Sequence, residues 1–317
     1  MAERILVLGG SGFIGRHIID ALRHAGFHTL SASRNSVDSA DSLRLDATDP
    51  FALKKCVSRV DGVVNCIMGD VNAITASGKA LFETLASSEL PLRVVHLSSM
   101  AVYGAATGTV DESAPLRGDM DSYGRAKIEC ERAARIYPST TVLRPGIVYG
   151  PGSQLWSDRI ARLLVTGRIG DLGARATGIC NLVHVRDVAR TVVQGISTDS
   201  LAGETLNLAV ENSPTWNHYF CLYGKALGLD RHRVIKPWRL AVETTFVSPA
   251  LKLAELLMPR KAQSLPPAIR PWLLDLCARK IRLDTSKAQR LLTFQSTPLD
   301  EGLADTARWF LGKSTNS

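Results

Sequence analysis

The chain has 317 residues, of which 45% are hydrophobic and 21% are charged, and its formal net charge is +8. These values are those of a soluble globular protein that buries a large core in about two domains, or in one domain with an annex. No apolar run reaches 18 residues, so we expect no membrane-spanning helix. We also expect no signal peptide, because a strand pattern starts almost at the first residue.

The six cysteines are scattered along the chain and form no C-x-x-C pair. This spacing argues against a metal site and against a disulfide framework. We therefore expect no metal and a cytoplasmic location, since free thiols persist in a reducing compartment.

The positive charge is concentrated in one region. Between Arg231 and Arg290 there are 13 Lys and Arg residues against 4 Asp and Glu, a net of +9. The simplest explanation is a basic face exposed to solvent. The functional alternatives are that this region binds an anionic substrate or an anionic membrane surface. No aromatic residues interleave with a basic stripe, so we expect no nucleic-acid partner.

The chain opens with a short apolar run, Ile5–Leu8, that is typical of a strand buried on both faces. A glycine cluster with the spacing G-x-x-G-x-x-G follows, and then apolar residues with the period of a helix. In such a turn one glycine permits the bend, one lets the backbone approach a pyrophosphate, and one lets helix and strand pack closely. The alternative is an ordinary strand-to-helix turn, but the flanking elements favour a dinucleotide site. Its predicted contacts are Gly9, Ser11, Gly12, Phe13, Ile14 and Gly15.

A second predicted strand, residues 28–34, ends in Ser33 and Arg34. An NAD-preferring enzyme usually has an acidic residue at this place, which holds the ribose 2′-hydroxyl. A guanidinium would instead bind a 2′-phosphate by charge-assisted hydrogen bonds. Ser33 and Arg34 therefore favour NADP(H) as the cofactor. Two alternatives stay open: the cofactor is NAD(H), or Arg34 is a surface residue with no role in binding.

The stretch 43–49 contains a third predicted strand, which ends in Asp46. Its carboxylate, beside Ala47, could accept a hydrogen bond from an adenine amino group. Asp49 is placed to cap a helix over residues 50–57.

A fourth strand is expected over residues 62–67, a helix near residues 78–88 and a fifth strand over residues 93–99. This alternation predicts an α/β fold with a doubly wound parallel sheet. At the carboxyl ends of the last two strands, the residues expected to line the cofactor are Cys66, Ile67, Met68 and Leu97.

Two further motifs follow in a fixed order. The fifth strand ends in Ser98-Ser99-Met100-Ala101-Val102-Tyr103-Gly104, and Tyr123-Gly124-Arg125-Ala126-Lys127 begins a helix. A Tyr and a Lys four residues apart lie on one face of a helix, which by itself is common and usually structural.

Together these motifs resemble the extended short-chain dehydrogenase/reductase family, also called the NAD-dependent epimerase/dehydratase family. The resemblance covers about two thirds of the chain and continues through three later stretches, at residues 143–151, 181–189 and 204–209. It implies a Rossmann domain over residues 1–150 and about 178–200. It also implies a smaller α/β substrate domain over residues 151–177 and about 201–317.

The resemblance also implies the chemistry. Tyr123 would be the acid/base, with a pKa brought down from about 10 by Lys127 and the nicotinamide. Lys127 would also hold the ribose, and Ser99, rather than Ser98, would bond the substrate oxygen. The remaining cofactor contacts implied are Pro145, Ile147 and Val148, and the substrate contacts are Met100 and Tyr149.

Two departures from the family pattern narrow the activity. Met100 and Ala101 stand where sugar-nucleotide dehydratases carry an acidic pair, which disfavours a dehydratase. Ile147 stands where nucleotide-sugar epimerases commonly have an asparagine, which favours a less polar substrate. The sequence therefore predicts an NADP(H)-dependent oxidoreductase of small non-nucleotide molecules. The alternatives are a nucleotide-sugar epimerase or reductase with tightly bound NAD(P), and a non-enzymatic sensor.

The region 238–280 is basic, contains tryptophan and is interrupted by prolines. We expect it to form a helical lid over a soluble pocket, in preference to a contact with a membrane interface. The sequence leaves a homodimer open.

Overall fold

The computed structural model describes residues 3–35, 39–88, 90–229, 233–257, 267–292 and 296–314. Two of the prolines expected to break the basic region, Pro259 and Pro266, lie outside these residues. The strands are β1 (Arg4–Leu8), β2 (His28–Ser33), β3 (Ser42–Arg44), β4 (Gly62–Asn65), β5 (Arg93–Leu97), β6 (Gly108–Val110), β7 (Thr140–Pro145), β8 (Ile147–Tyr149), β9 (Leu182–His184), β10 (Thr205–Leu208) and β11 (Ile281–Leu283).

The α-helices alternate with these strands over the first two thirds of the chain and dominate the last third. They are α1 (Phe13–His24), α2 (Pro50–Val57), α3 (Val71–Ser87), α4 (Ser122–Ala134), α5 (Arg159–Val165), α6 (Val185–Ser197), α7 (Trp216–Ala226), α8 (Pro237–Val242), α9 (Ser248–Leu257), α10 (Pro271–Cys277), α11 (Ser286–Leu292) and α12 (Leu299–Ser314). Among the described residues, none of these helices is long and apolar enough to cross a bilayer.

The first compact unit comprises residues 1–146, 185–209 and 283–296. It contains a seven-stranded sheet in the order β10-β7-β5-β4-β1-β2-β3. Every neighbouring pair in this sheet is parallel, which confirms the predicted fold class. The strand order reverses between β1 and β4, and a ligand crevice forms outside the carboxyl ends of strands at such a point.

Side chains from both faces of the sheet are buried, as a parallel sheet requires. On one face, Leu6 and Leu8 of β1 share a core cluster with Leu81 and Leu85 of α3. On the other, the side chains of Ile5 and Ile196 approach Gly62. Helices therefore cover both faces of the sheet. Because both faces are buried, the strands are continuous apolar runs in the sequence.

The second unit comprises residues 147–184, 210–282 and 297–317. Strands β8 and β9 pair in parallel in a small sheet of their own. The hydrophobic core of the second unit is rich in aromatic side chains from α7, of which Trp216 and Tyr219 are fully buried. The Tyr219 hydroxyl donates to the carbonyl oxygen of Trp156 at 2.8 Å.

The boundaries of the two units differ from those expected from the sequence. The resemblance implies that residues 201–209 belong to the substrate domain, yet β10 pairs with β7 in the large sheet. It also implies that residues 178–184 belong to the Rossmann domain, yet they lie in the second unit, where β9 pairs with β8. Pairing between strands distant in sequence decides both cases, and no local pattern reveals it.

Local side-chain caps explain where several elements begin and end. The predicted cap by Asp49 is confirmed, since its Oδ1 accepts from the backbone N–H groups of Phe51 and Ala52. The third strand ends earlier than predicted, at Arg44, because Asp46 turns the chain by accepting from Thr48. Helix α3 begins earlier than predicted, since Asp70 caps it at Val71.

A buried ion pair joins α4 to the large sheet. The guanidinium of Arg144, on β7, donates to the two carboxylate oxygens of Glu131 at 3.0 and 2.7 Å. Both side chains are at most 7% exposed. Burial acts to lower the pKa of Arg144, but the hydrogen bonds and charge of Glu131 outweigh it and raise that pKa, so the guanidinium stays charged.

The ion pair is part of a larger polar network. The hydroxyl of Ser98 donates to Glu131, and Arg144 donates to the Tyr103 hydroxyl at 3.0 Å. That hydroxyl donates in turn to Asn207 Oδ1 at 2.6 Å. The network therefore holds both ends of the segment 98–103 against α4, β7 and β10.

We predict that Glu131→Gln lowers the free energy of unfolding by about 3 kcal/mol, because Arg144 would keep its charge in a buried place without a counter-charge. The matched control is Glu129→Gln on the same helix, whose ion pair with Arg132 is exposed. This control should change the free energy by less than about 0.5 kcal/mol. Denaturant unfolding followed by circular dichroism measures both. Equal effects of the two variants would contradict the prediction.

Candidate active site

The glycine turn between β1 and α1 leaves the N-terminus of the helix open. Gly9 has φ +83°, and a Cβ there would lie 2.9 Å from the carbonyl oxygen of Cys66. A Cβ on Gly15 would lie 2.3 Å from the carbonyl oxygen of Gly9. Gly12 is the N-cap residue and supplies no side-chain cap. Among the described residues, a Cβ on Gly12 would meet only the Gly9 oxygen within 4 Å.

This turn fits the diphosphate of a dinucleotide. The exposed Ser11 and the partly exposed Phe13 and Ile14 surround the first turn of α1. Backbone N–H groups at a helix start carry partial positive charge and bind phosphate oxygens. With no side chain on Gly12, a ligand can approach these groups closely.

At the ends of β2 and β3, a carboxylate and a guanidinium lie close to each other. Asp46 Oδ1 accepts from the backbone N and the Oγ1 of Thr48, at 3.0 and 2.8 Å. These bonds lower the pKa of Asp46, and the charge of Arg34 acts in the same direction. Arg34 is exposed, directly after Ser33 at the end of β2, and Ala47 beside Asp46 is buried. The pair can thus offer an acceptor and a cation to an adenosine moiety.

The residues after β4 approach the predicted catalytic helix. The Cys66 thiol donates to the carbonyl oxygen of Leu8 at 3.1 Å, and burial raises its pKa to about 12, so it stays neutral. The Tyr123 hydroxyl lies 3.4 Å from the Met68 sulfur. Lys127 Nζ lies 3.5 Å from the carbonyl oxygen of Ile67.

The structure brings Ser99, Tyr123 and Lys127 together at the carboxyl end of β5. Ser99 begins a short 3₁₀ turn, Met100–Tyr103, and its Oγ accepts from Ala101 N at 3.2 Å. The Ser99 side chain also acts to lower the pKa of the Tyr123 phenol. Lys127 is 2% exposed, and its Nζ donates to the carbonyl oxygen of Leu97 at 2.8 Å. The same Nζ lies 5.9 Å from the centre of the Tyr123 ring.

The protein's own groups act on the pKa of the phenol in opposite directions. Burial raises the pKa of Tyr123 to about 12, against the opposing effect of Ser99. Burial also lowers the pKa of Lys127, although the charge of Glu131 acts to raise it. The protein's own groups therefore do not lower the Tyr123 pKa, because burial disfavours the phenolate more than its neighbours stabilise it.

The remaining predicted contacts lie on β7, on β8 and in the 3₁₀ turn. Met100 is partly exposed next to Ser99, and Pro145 ends β7 in the first unit. Ile147 and Val148 are buried on β8 in the second unit. Tyr149 is fully buried, with its ring 5.1 Å from that of His184. Its assignment as a substrate contact stays a prediction.

Sequence reasoning missed the polar support behind the site. Glu131 lies four residues after Lys127, so the spacing of α4 already placed it on the same face. Its partner Arg144 lies in the stretch 143–151 that carries part of the family resemblance, but nothing local indicates that the two side chains meet. His96 was also missed. Burial, followed by the charge of Lys127, lowers its pKa well below the usual value, so Lys127 faces a neutral imidazole.

Comparisons with known proteins find relatives that match most of this chain. A 2′-dehydrokanamycin reductase of Streptomyces kanamyceticus is 27% identical over 261 residues, 76% of this chain and 71% of that protein. The bovine epimerase family protein SDR39U1 is 27% identical over 244 residues, 71% of this chain and 81% of its own.

Solved structures share the fold along nearly the whole chain. MoeE5 in complex with UDP-glucose and NAD superposes with a TM-score of 0.75 at 23% identity, covering 99% of this chain and 100% of that one. A UDP-glucose 4-epimerase of Thermotoga maritima has a TM-score of 0.73 at 20% identity, covering 98% and 99%.

The family assignment rests on a match along most of the first unit. The model described as the NAD dependent epimerase/dehydratase family matches residues 5–209, which include the glycine turn and the Ser99, Tyr123 and Lys127 cluster. This confirms the resemblance found in the sequence. The chain belongs to the NAD-dependent epimerase/dehydratase family of NAD(P)-dependent oxidoreductases and epimerases.

Proposed function

We propose that the chain is an NADP(H)-dependent oxidoreductase that interconverts an alcohol and a ketone or aldehyde on a non-nucleotide substrate. One observation carries this proposal: the Ser99 hydroxyl, the Tyr123 phenol and the buried Lys127 amine converge at the carboxyl end of β5. The first unit that holds them also holds an open glycine turn that fits a dinucleotide diphosphate.

Each residue of the cluster has a defined task in this proposal. The nicotinamide, when bound, supplies or accepts the hydride. Tyr123 Oη gives a proton to the substrate oxygen as a carbonyl becomes an alcohol, or takes it in the reverse direction. Ser99 Oγ donates a hydrogen bond to the same oxygen, where negative charge develops. Lys127, held by the Leu97 carbonyl, orients the ribose and offers a positive charge to a phenolate.

The raised pKa of Tyr123 suits the phenol to the role of proton donor in carbonyl reduction. With a pKa of about 12 the phenol keeps its proton at neutral pH, which suits a proton donor. A carbonyl that receives a hydride needs such a donor. Oxidation of an alcohol needs the phenolate instead, which burial disfavours.

The proposed substrate class is supported by what the chain lacks. Ile147 cannot donate to a phosphate, and Met100 and Ala101 supply no acid or base for elimination of water. One relative is named as a reductase of 2′-dehydrokanamycin, a name that includes no nucleotide.

A nucleotide-sugar epimerase is the second candidate. A UDP-glucose 4-epimerase of Vibrio cholerae is 25% identical over 232 residues, 64% of this chain and 70% of its own. Thermal-shift measurements with sugar nucleotides and with lipophilic ketones separate the candidates. Stabilisation by one sugar nucleotide, with no effect of any ketone, would favour the epimerase.

Cofactor preference is tested at Arg34. We predict that Arg34→Ala weakens NADPH binding by about 10- to 100-fold, because a charge-assisted contact to the 2′-phosphate is lost. Binding of NADH should change by less than about threefold, since NADH has no such phosphate. Titration calorimetry measures both, with the exposed Arg135→Ala as the control for a change in charge. Equal losses for the two cofactors would contradict a 2′-phosphate contact.

The proton donor is tested at Tyr123. We predict that Tyr123→Phe lowers kcat for NADPH-dependent carbonyl reduction by about 10²- to 10⁴-fold, while NADPH affinity stays within about threefold. The control is Tyr137→Phe, whose hydroxyl bonds the backbone of Leu90 and Leu92 instead. It should retain full activity. Substantial turnover by Tyr123→Phe would remove this phenol from the mechanism.

The pH dependence follows from the direction of the phenol pKa. Carbonyl reduction needs the protonated phenol, so its kcat/KM should stay level below the phenol pKa and fall only as the pH rises through it. Alcohol oxidation needs the phenolate and should rise by up to about tenfold per pH unit below that pKa. Rate profiles in both directions test this. A reduction rate that falls already near neutral pH would show that another group donates the proton.

A further inference from the structure

A helical segment of the second unit exposes a run of large apolar side chains. It consists of α8, a π-helical turn (Glu243–Val247) and α9, and so covers residues 237–257. Its apolar stripe comprises Trp238, Val242, Phe246, Leu253 and Leu257, which are 63%, 44%, 69%, 57% and 71% exposed. Contiguous apolar surface of this kind is uncommon on soluble monomers and marks an interaction site.

The spacing of the stripe gives it a single direction. Its members are separated by four, four, seven and four residues, which is the repeat of one face of a helix. The opposite face carries Leu240, which is 1% exposed, and Ser248, which is 6% exposed. The segment therefore has two distinct faces, of which the outer one carries the exposed apolar stripe.

The inner face is fixed to the second unit. Leu240 belongs to the core cluster of that unit. Ser248 Oγ accepts from the backbone N of Ile269 at 2.8 Å, and Glu243 forms an ion pair with Arg168. These anchors hold the segment on its own unit and leave the stripe directed outward.

The exposed charges beside the stripe are positive. Lys236, Arg239 and Lys252 are all exposed. Glu243 is the one acidic residue of 236–257 whose side chain the structure describes, and Arg168 neutralises it. The larger region 231–290 carries a net charge of +9 in the sequence. An anionic surface is therefore the complementary partner.

We propose that the segment 237–257 lies in the interface of an anionic phospholipid bilayer. Trp, Phe and Leu side chains on one face with Lys and Arg beside them are the signature of an interfacial helix, which rests on a membrane without crossing it. The apolar side chains enter the boundary of headgroups and acyl chains, and the cations face lipid phosphates. The sequence alone favours a lid over a pocket, whereas the exposure of the stripe supports contact with a membrane.

The test uses the full chain and lipid vesicles. Vesicles of phosphatidylcholine containing about 30% phosphatidylglycerol should bind the protein at least about tenfold more strongly than pure phosphatidylcholine, and added salt should reduce this difference. Trp238→Ser combined with Phe246→Ser should lower binding by about tenfold or more. Lys236→Glu combined with Arg239→Glu should lower it by a similar factor. Co-sedimentation with vesicles measures the binding of the wild type to both vesicle types, its dependence on salt, and the binding of the two double variants.

The matched control is Phe51→Ser, since Phe51 is 86% exposed on the first unit and lies outside the stripe. This variant should bind vesicles as the wild type does, and circular dichroism should show that every variant is folded. The proposal fails if the wild type does not distinguish the two vesicle types, or if Phe51→Ser loses as much binding as the stripe variant. It also fails if light scattering finds a dimer that the stripe variant alone dissociates without any vesicle binding. That result would make the stripe a contact between two copies.

Discussion

The contact between Glu131 and Arg144 is the interaction on which the candidate site depends. It ties the helix that carries Tyr123 and Lys127 to a strand of the large sheet. Burying two charges is unfavourable unless their remaining polar atoms are satisfied. Ser98, Tyr103 and the carbonyl of Glu112 provide those partners, so the pair is satisfied in one arrangement of helix, turn and strand. The ion pair therefore contributes more to fixing the position of α4 on the sheet than to the net stability of the fold.

Desolvation has opposite consequences for the two ionisable groups of the cluster. It raises the pKa of Tyr123 and lowers that of Lys127, so both neutral forms gain at the expense of the charged ones. An acid/base pair in this state holds its proton on the phenol. A positive nicotinamide nearby would favour the phenolate, so oxidised and reduced cofactor should set different proton affinities on the same tyrosine.

The sequence predicted the features that depend on neighbours in the chain. The glycine turn, the Asp49 cap, the alternation of strands and helices, and the four-residue spacing of Tyr123 and Lys127 are all local patterns. Other features depend on contacts between different elements, which the periodicity of a single element does not predict. They are the pairing of β9 with β8, the pairing of β10 with β7 and the ion pair of Glu131 with Arg144. The burial of Tyr149 follows from packing in the second unit and was likewise beyond local inference.

Tyr123, Lys127 and Glu131 follow one another at intervals of four along α4. Each interval is slightly more than one helical turn, so the three side chains stay on one side of the helix. Deleting or inserting one residue between positions 123 and 131 would rotate one end of this series by about 100° and detach the phenol from its polar support. A change of chain length within this stretch would therefore disrupt the site, whereas one in the loops around it would leave the series intact.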